Sequence, residues 1–424
     1  MTLTYLSHYQ CALCGRAYAL DIVTYTCPTC GAVGTLDMRY DYTALRRDLT
    51  PAHISAQTQP HTLTMWRYLP LLPMTETAHI PPLHVGWTPL IPAPRLAAAL
   101  GLREVWLKDD GRNPTGSLKD RASAMVVGRA QQLGVKVITT ASTGNAAAAL
   151  AGLCASVGMR AVIFVPAKAP PAKIAQLLVY GATVLLVDGT YDDAYALSLQ
   201  ASAEYGWYCR NTGMNPYTTE GKKTAALEIC EQLGWQAPDA LIVSVGDGNI
   251  IAGQHKGFYD LHQLDWIARV PRLIGVQAAG SDNLVRAWEQ GISAAAMQRG
   301  GTETLADSIS AGLPSDRTKA LRAVRETDGA YLRVTDAEIL AAIPSMARAS
   351  GVFAEPACAA AYAGLIKAVE SGVVRTGESV VLLVTGSGLK DIRGAMQSVE
   401  GEGGYPIGRE INAVRDVVAR LNLA

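Results

Sequence analysis

Short runs of β-branched and aliphatic residues alternate with helix-length stretches through most of this chain. VKVITT (135–140) precedes an alanine-rich stretch to Cys154, RAVIFVP (160–166) precedes KIAQLLVYG, and ATVLLVDG (182–189) precedes a helical stretch to about Tyr205. A short strand follows at Trp207-Tyr208-Cys209, then a helix at about 219–233. ALIVSV (240–245), RLIGVQA (272–278) and VVLLVTG (380–386) continue the series, and REVWLKDD (103–110) opens it with a strand-like core at Val105–Leu107. Strands separated by helices leave few arrangements open: parallel sheets joined by right-handed crossovers, with helices on both faces. The expected class is therefore α/β with two open parallel-sheet domains. Residues 86–124 and 219–424 form the larger and residues 125–218 a smaller one set within it. A chain of 424 residues, 49% of them hydrophobic, is long and apolar enough for both cores.

The N-terminus follows another pattern. Cys11-Ala-Leu-Cys14-Gly and Cys27-Pro-Thr-Cys30-Gly are two CxxC knuckles, each followed by a turn-permitting glycine. Four thiolates so spaced converge tetrahedrally on Zn²⁺, and a closed four-cysteine site is structural. A zinc ribbon is expected over residues 1–40. Cys154, Cys209, Cys230 and Cys358 lie scattered among apolar neighbours, as buried thiols do. Residues 41–85 read as an N-terminal arm, with a short helix in TALRRDLT and a docking segment at MWRYLPLLP. A formal net charge of +0 gives no bulk attraction to nucleic acid or acidic membranes. No run of about 18 apolar residues suggests a membrane span, and MTLTYLSHYQ does not read as a signal peptide. A cytoplasmic protein is expected.

Ligands of open α/β sheets bind at the carboxyl ends of the strands, so the loops there carry the chemistry. Asn113–Arg121, NPTGSLKDR, places Lys119 after a turn-forming run and at the start of a helix. The positive field of a helix N-terminus favours the neutral amine that Schiff-base chemistry requires; a plain exposed lysine is the alternative. Ser142-Thr143-Gly144-Asn145 offers hydroxyls and helix-start amides suited to a carboxylate, or an ordinary helix cap. Gly246-Asp247-Gly248-Asn249 lets backbone amides approach a phosphate. It lacks both GK[ST] and GxGxxG, which argues against nucleoside triphosphates and dinucleotides. Thr385-Gly386-Ser387-Gly388 presents hydroxyls at a strand end, fit for a ring nitrogen, a phosphate or a plain turn. In Asn215–Thr224, NPYTTEGKKT, Glu220, Lys222 and Lys223 read most simply as solvated surface charge.

NPTGSLKDR, ASTGN, NPYTTEGKKTAALE, the glycine loop and TGSGLKD, in this order and spacing, resemble the threonine synthases. These are pyridoxal-phosphate enzymes of the tryptophan-synthase-β fold (fold type II), and the similarity covers residues ~85–400. The resemblance implies that Lys119 is the covalent anchor of pyridoxal 5'-phosphate and shuttles protons. Asn145 would bond the cofactor's ring hydroxyl, Gly246, Asp247, Gly248 and Asn249 would cradle its phosphate, and Thr385 would face its ring nitrogen. Ser142, Thr143 and Gly144 would hold the substrate's α-carboxylate, with Asn211 and Thr218 also in the substrate site. The implied reaction converts O-phosphohomoserine and water to threonine and phosphate in a homodimeric enzyme. The alternative is a β-eliminase or β-replacement enzyme acting on serine- or threonine-like amino acids. Several positions depart from the family pattern. Leu118 stands in place of phenylalanine, Ala146 in place of threonine, and Thr212 in place of serine. The glycine loop is one residue shorter and carries Asp247. Thr218 stands where the family has a phosphate-clamping arginine, and threonine cannot supply that charge. Lys222, Lys223, Arg210 and Lys390 are the cations available to compensate.

Overall fold

A computed structural model describes residues 5–423, apart from residues 21, 75 and 170. Strands β1 (Leu6–Cys11), β2 (Ala17–Tyr18) and β3 (Leu36–Tyr40) form a small antiparallel sheet in the order β2-β1-β3, with the cysteine pairs at its end. This sheet is docked on the rest of the chain by buried polar contacts. Tyr40 donates to Glu220 at 2.5 Å, Thr35 to Asp316 at 2.7 Å, and Lys319 to the Leu36 carbonyl at 2.7 Å. The arm continues through a helix at Tyr42–Asp48 and a 3₁₀ turn at Met65–Leu71. Pro70 keeps that turn from extending as an α-helix, while Met65, Trp66, Tyr68 and Leu71 are buried.

The α/β body then begins. β4 (Leu90–Pro92) and β5 (Glu104–Asp109) lead to helix α1 (Lys119–Gln132). β6 (Val137–Ala141), helix α2 (Asn145–Ser156), β7 (Arg160–Pro166), β8 (Thr183–Val187) and β9 (Tyr208–Cys209) follow. Helix α3 (Tyr217–Gln232), β10 (Ala240–Ser244), helix α4 (Asn249–Gln263), β11 (Arg272–Ala278) and helix α5 (Arg317–Glu326) come next. β12 (Ala330–Val334), helix α6 (Pro356–Glu370) and β13 (Ser379–Val384) complete the body. The smaller sheet has the order β8-β7-β6-β9 and is wholly parallel. The larger has the order β12-β11-β10-β13-β5-β4, parallel except where β4 runs against β5. The expected α/β architecture is present. β10 and β13 are buried along their whole length, which is why both are apolar runs apart from one terminal serine each. β4 and β12 were not expected. Both lie on sheet edges, where Pro92 loses no ladder bond and AYLRV needs no continuous apolar character. Among the described residues no helix is long and apolar enough to cross a membrane.

Helices α1 and α3 cross in near contact. A Cβ on Gly221 would lie 2.2 Å from the Arg121 carbonyl oxygen, so only glycine permits the crossing. At that crossing Arg121 is fully buried. It reaches Asp110 through Nε (2.8 Å) and Nη2 (2.7 Å), and Glu228 through Nη1 (2.5 Å) and Nη2 (2.8 Å). Lys108 Nζ lies 2.7 Å from Glu228. Two carboxylates and two cations thus neutralise each other out of water. Glu228 also accepts from the Trp87 and Thr88 amides, which pins the loop entering β4. Breaking such a buried network leaves unpaired carboxylates and costs about 3–5 kcal/mol. Arg121→Met is therefore expected to lower the thermal unfolding midpoint strongly; a midpoint within a degree or so of wild type would contradict the role given to this network.

Candidate active site

A cavity of about 630 Å³ opens among the loops at the carboxyl ends of both parallel sheets. Three helices begin at its wall: α1 with Lys119, α2 with Asn145 and α4 with Asn249 as first residue. The caps of α2 and α4 are Gly144 and Gly248, and neither receives a side-chain capping bond. Their first-turn amides are therefore available to an anion. Gly248 has φ +87° and its Cβ would meet the Ala320 Cβ at 2.6 Å, so a side chain there is excluded twice over.

Lys119 faces this cavity. Burial pushes its amine below the ordinary lysine range; the neighbouring Glu355 carboxylate opposes that shift, and the Arg210 charge reinforces it. Asn145 donates Nδ2 to both oxygens of Glu355, at 3.0 and 2.9 Å. Burial raises the Glu355 pKa in turn, against the Asn145 bonds. Ser142, Thr143 and Gly144 line the wall, with the Gly144 amide 3.2 Å from Ser142 Oγ. Gly246, Asp247, Gly248 and Asn249 line the cavity as well. The Asp247 carboxylate is tied to Ser315, accepting from its amide at 3.1 Å and its hydroxyl at 3.0 Å. Thr385 lines the floor, its Oγ1 3.1 Å from Cys358 Sγ, and that sulfur also accepts the amides of Thr385 and Gly386 at 3.0 Å each.

Two expected site residues stand apart from the cavity wall. Asn211 braces the end of β6 from behind: its Oδ1 accepts from Thr140 Oγ1 (2.9 Å) and the Ala141 amide (2.8 Å), and its Nδ2 donates to Ser198 (2.9 Å). Thr218 is buried in the first turn of α3 and spends its hydroxyl on the Asn215 carbonyl at 2.7 Å. The charge run on α3 is not solvated as expected: Glu220, Lys222 and Lys223 are all buried. Lys223 is neutralised by Glu220 (2.5 Å) and Asp260 (2.8 Å). Lys222 instead reaches the cavity and donates to Asn249 Oδ1 at 2.5 Å. Lys390 holds the Thr115 carbonyl and Gln176, at 3.0 and 2.7 Å. Arg210 lines the cavity, fully buried. Glu355 was not anticipated from sequence; the signal available was a lone acid in the apolar stretch VFAEPACAAA.

These residues fit pyridoxal phosphate. The group needs a buried amine, a phosphate cradle and a polar partner for its ring nitrogen. Lys119, the glycine loop at the start of α4, and Thr385 supply them around one cavity. Two buried polar atoms in residues that line this cavity, Arg210 Nη2 and Ser244 Oγ, have no partner among the described residues. In the N-terminal sheet the sulfurs of Cys11, Cys14, Cys27 and Cys30 all lie within 4.8 Å of one another, with Cys14 and Cys27 3.9 Å apart. Tetrahedral zinc–thiolate geometry puts sulfurs about 3.8 Å apart.

Comparison with known proteins agrees with this geometry. Residues 82–386 match the family described as pyridoxal-phosphate dependent enzyme. The chain is 38% identical to threonine synthase of Methanocaldococcus jannaschii, over 92% of this chain and 95% of that protein. It is 39% identical to threonine synthase of Methanosarcina acetivorans (91% and 92% covered) and 42% to that of Synechocystis (78% and 84%). Threonine deaminase from Solanum lycopersicum has the same fold, with a TM-score of 0.63 and 23% identity over 75% of this chain and 88% of that one. Maize serine racemase does too, with a TM-score of 0.62 and 22% identity over 74% and 93%. Fold and site together define a pyridoxal-phosphate dependent enzyme of fold type II. Within that class the chain belongs to the threonine synthase family.

The depressed Lys119 pKa has a consequence for stability. Between the folded and unfolded pKa values the unfolded chain binds the proton and the folded chain does not, so stability rises with pH across that window. Below it, the buried charge is a full cost. Lys119→Met is therefore expected to raise the thermal midpoint of the cofactor-free protein near pH 7, and the gain should shrink as pH approaches about 10.4. A gain independent of pH would show that the amine is not the source.

Proposed function

We propose that this enzyme is a threonine synthase, converting O-phosphohomoserine and water to threonine and phosphate by γ-elimination and β-hydration. The observation that carries this reading is the half-buried Lys119 amine in a cavity walled by three helix N-termini, in a chain with threonine synthase relatives along most of its length. Pyridoxal phosphate, when bound, supplies an electron sink that acidifies the substrate's Cα and Cβ hydrogens. Lys119 would anchor the cofactor and, once displaced by the substrate's amino group, move protons at the substrate's Cα and Cβ in turn, giving up the first before it takes the second. Its lowered pKa suits a base at neutral pH. Ser142, Thr143 and the α2 amides would orient the α-carboxylate. Gly246–Asn249 and the α4 N-terminus would hold the cofactor phosphate. Thr385 would offer the ring nitrogen a neutral hydroxyl, and Asn145, oriented by Glu355, would meet the ring hydroxyl. The four N-terminal cysteines would hold one structural Zn²⁺ with no open coordination position. A homodimer working in the cytoplasm completes the proposal.

Incubation of the purified enzyme with O-phosphohomoserine is expected to release phosphate and threonine in equal amounts. Formation of a 2-oxo acid from serine or threonine, with no phosphate released from O-phosphohomoserine, would assign it to the β-eliminating relatives instead. In Lys119→Ala both the activity and the cofactor's absorbance band should disappear. Metal analysis should find zinc near one ion per chain, and Cys27→Ser should lose it along with part of the thermal stability. Zinc retained at full occupancy in that variant would count against the four-cysteine site.

A further inference from the structure

Most cations buried in this protein are paired with carboxylates. Arg121 has Asp110 and Glu228, Arg67 has Glu231, Lys108 has Glu228, and Lys223 has Glu220 and Asp260. Arg210 differs. It is 0% exposed at the end of β9 and, among the described residues, forms no ion pair. Its Nε donates to Ser123 Oγ at 3.3 Å and its Nη1 to Thr212 Oγ1 at 3.0 Å. Its Nη2 is buried with no partner, in a residue that lines the cavity. A buried guanidinium without an ion pair is costly, and Asp120 and Asp247 act on it only through space, so the geometry calls for an anion delivered through the cavity.

Three anionic groups enter the proposed reaction: the cofactor phosphate, the substrate α-carboxylate and the substrate phosphate. The glycine loop and the α4 N-terminus provide for the first, and Lys222 is tethered to that loop through Asn249. Ser142–Gly144 and the α2 N-terminus provide for the second. Neither arrangement uses Arg210, which comes from the β9 end of the smaller sheet. The turn at Asn215-Pro216 offers no cation, because Thr218 faces away and is bonded to Asn215. Lys223 and Lys390 are committed elsewhere.

We propose that Arg210 recognises the substrate's departing phosphate, supplying from the end of β9 the charge absent at position 218. This rests on the threonine synthase reading. In the γ-elimination the Cβ proton passes to the Lys119 amine, the Cβ–H electron pair becomes the Cβ–Cγ double bond, and the Cγ–O pair leaves on phosphate. A guanidinium fork suits a phosphoryl group, and it stabilises the charge gathering on the leaving oxygens.

The test compares holoenzymes of wild type, Arg210→Gln and Arg210→Lys. Arg210→Gln is expected to raise the KM for O-phosphohomoserine roughly 10- to 100-fold, with the lysine variant in between. Cofactor content should be unchanged, and the affinity for L-threonine, which has no phosphate, should stay within about two-fold by spectral titration. Inorganic phosphate should compete with O-phosphohomoserine in wild type and compete more weakly in both variants. An unchanged KM, loss of cofactor, or parallel loss of L-threonine binding would overturn the assignment. If Arg210→Gln does not fold, the lysine variant decides: an unaltered phosphate inhibition constant overturns it. Wild-type holoenzyme that makes no threonine from O-phosphohomoserine defeats the parent reading, whereas normal turnover with an unchanged KM in Arg210→Gln defeats this one alone.

Discussion

Arg121 stands in the same first turn of α1 as Lys119 and satisfies two buried carboxylates drawn from distant parts of the chain. Asp110 follows β5, and Glu228 lies on α3. Thr88 joins through its hydroxyl, donated to Asp110 at 2.6 Å. One guanidinium therefore fixes where α1 begins relative to the larger sheet, to α3 and to the loop before β4. The direction of α1 fixes where the Lys119 amine enters the cavity. Removing either carboxylate or the arginine would strand a buried charge, so the register of these elements is defended energetically. The Gly221 crossing gives the same constraint steric form.

The cavity follows the opposite electrostatic rule. Behind the wall, buried cations are matched by carboxylates; on it, Lys119, Lys222 and Arg210 form no ion pair among the described residues and feel Glu355 and Asp247 only through space. Burial, and then the charges of Arg210 and Lys119, depress the Lys222 pKa. Burial lowers Arg210 itself to about 10. Such a cluster stores unfavourable energy in the empty protein and releases it when anions arrive, which favours binding of a doubly anionic substrate. The cluster is supported from outside. Asn249, which accepts from Lys222, donates to Asp316 at 2.7 Å, and Asp316 accepts from Thr35 of the cysteine-bearing sheet at 2.7 Å. The small N-terminal sheet thus buttresses the start of α4, where the phosphate cradle lies.

What the sequence revealed and what it hid follow from these two rules. Central parallel strands are buried on both faces, so they write themselves as apolar runs, and 160–166 and 272–278 were legible to the residue. The edge strands β4 and β12 lack that constraint and left no such mark. Loops that open helices were legible because glycine and hydroxyl residues cluster there; Ser142–Asn145 and Gly246–Asn249 do line one cavity. The partners of polar groups were not legible. Asn211 and Thr218 occupy positions that the family resemblance places in the substrate site, yet their hydrogen bonds are spent on the β6 end and the α3 turn. The charged run at 220–223 looked solvated because nothing local records that α4 and Tyr40 of β3 will cover it.

Arg210 shows the limit most plainly. A single arginine after a two-residue strand carries no sequence signal, since what sets it apart is the absence of a carboxylate, a tertiary property. The contrast with position 218 then becomes intelligible. A guanidinium on the first turn of α3 would enter a region where Tyr217, Thr218 and Thr219 are all buried. Placed at the end of β9, the guanidinium approaches the same cavity from the smaller sheet, held by the neutral hydroxyls of Ser123 and Thr212. Those hydroxyls orient the fork without cancelling its charge, which leaves its unpartnered nitrogen for the anion the reaction brings in.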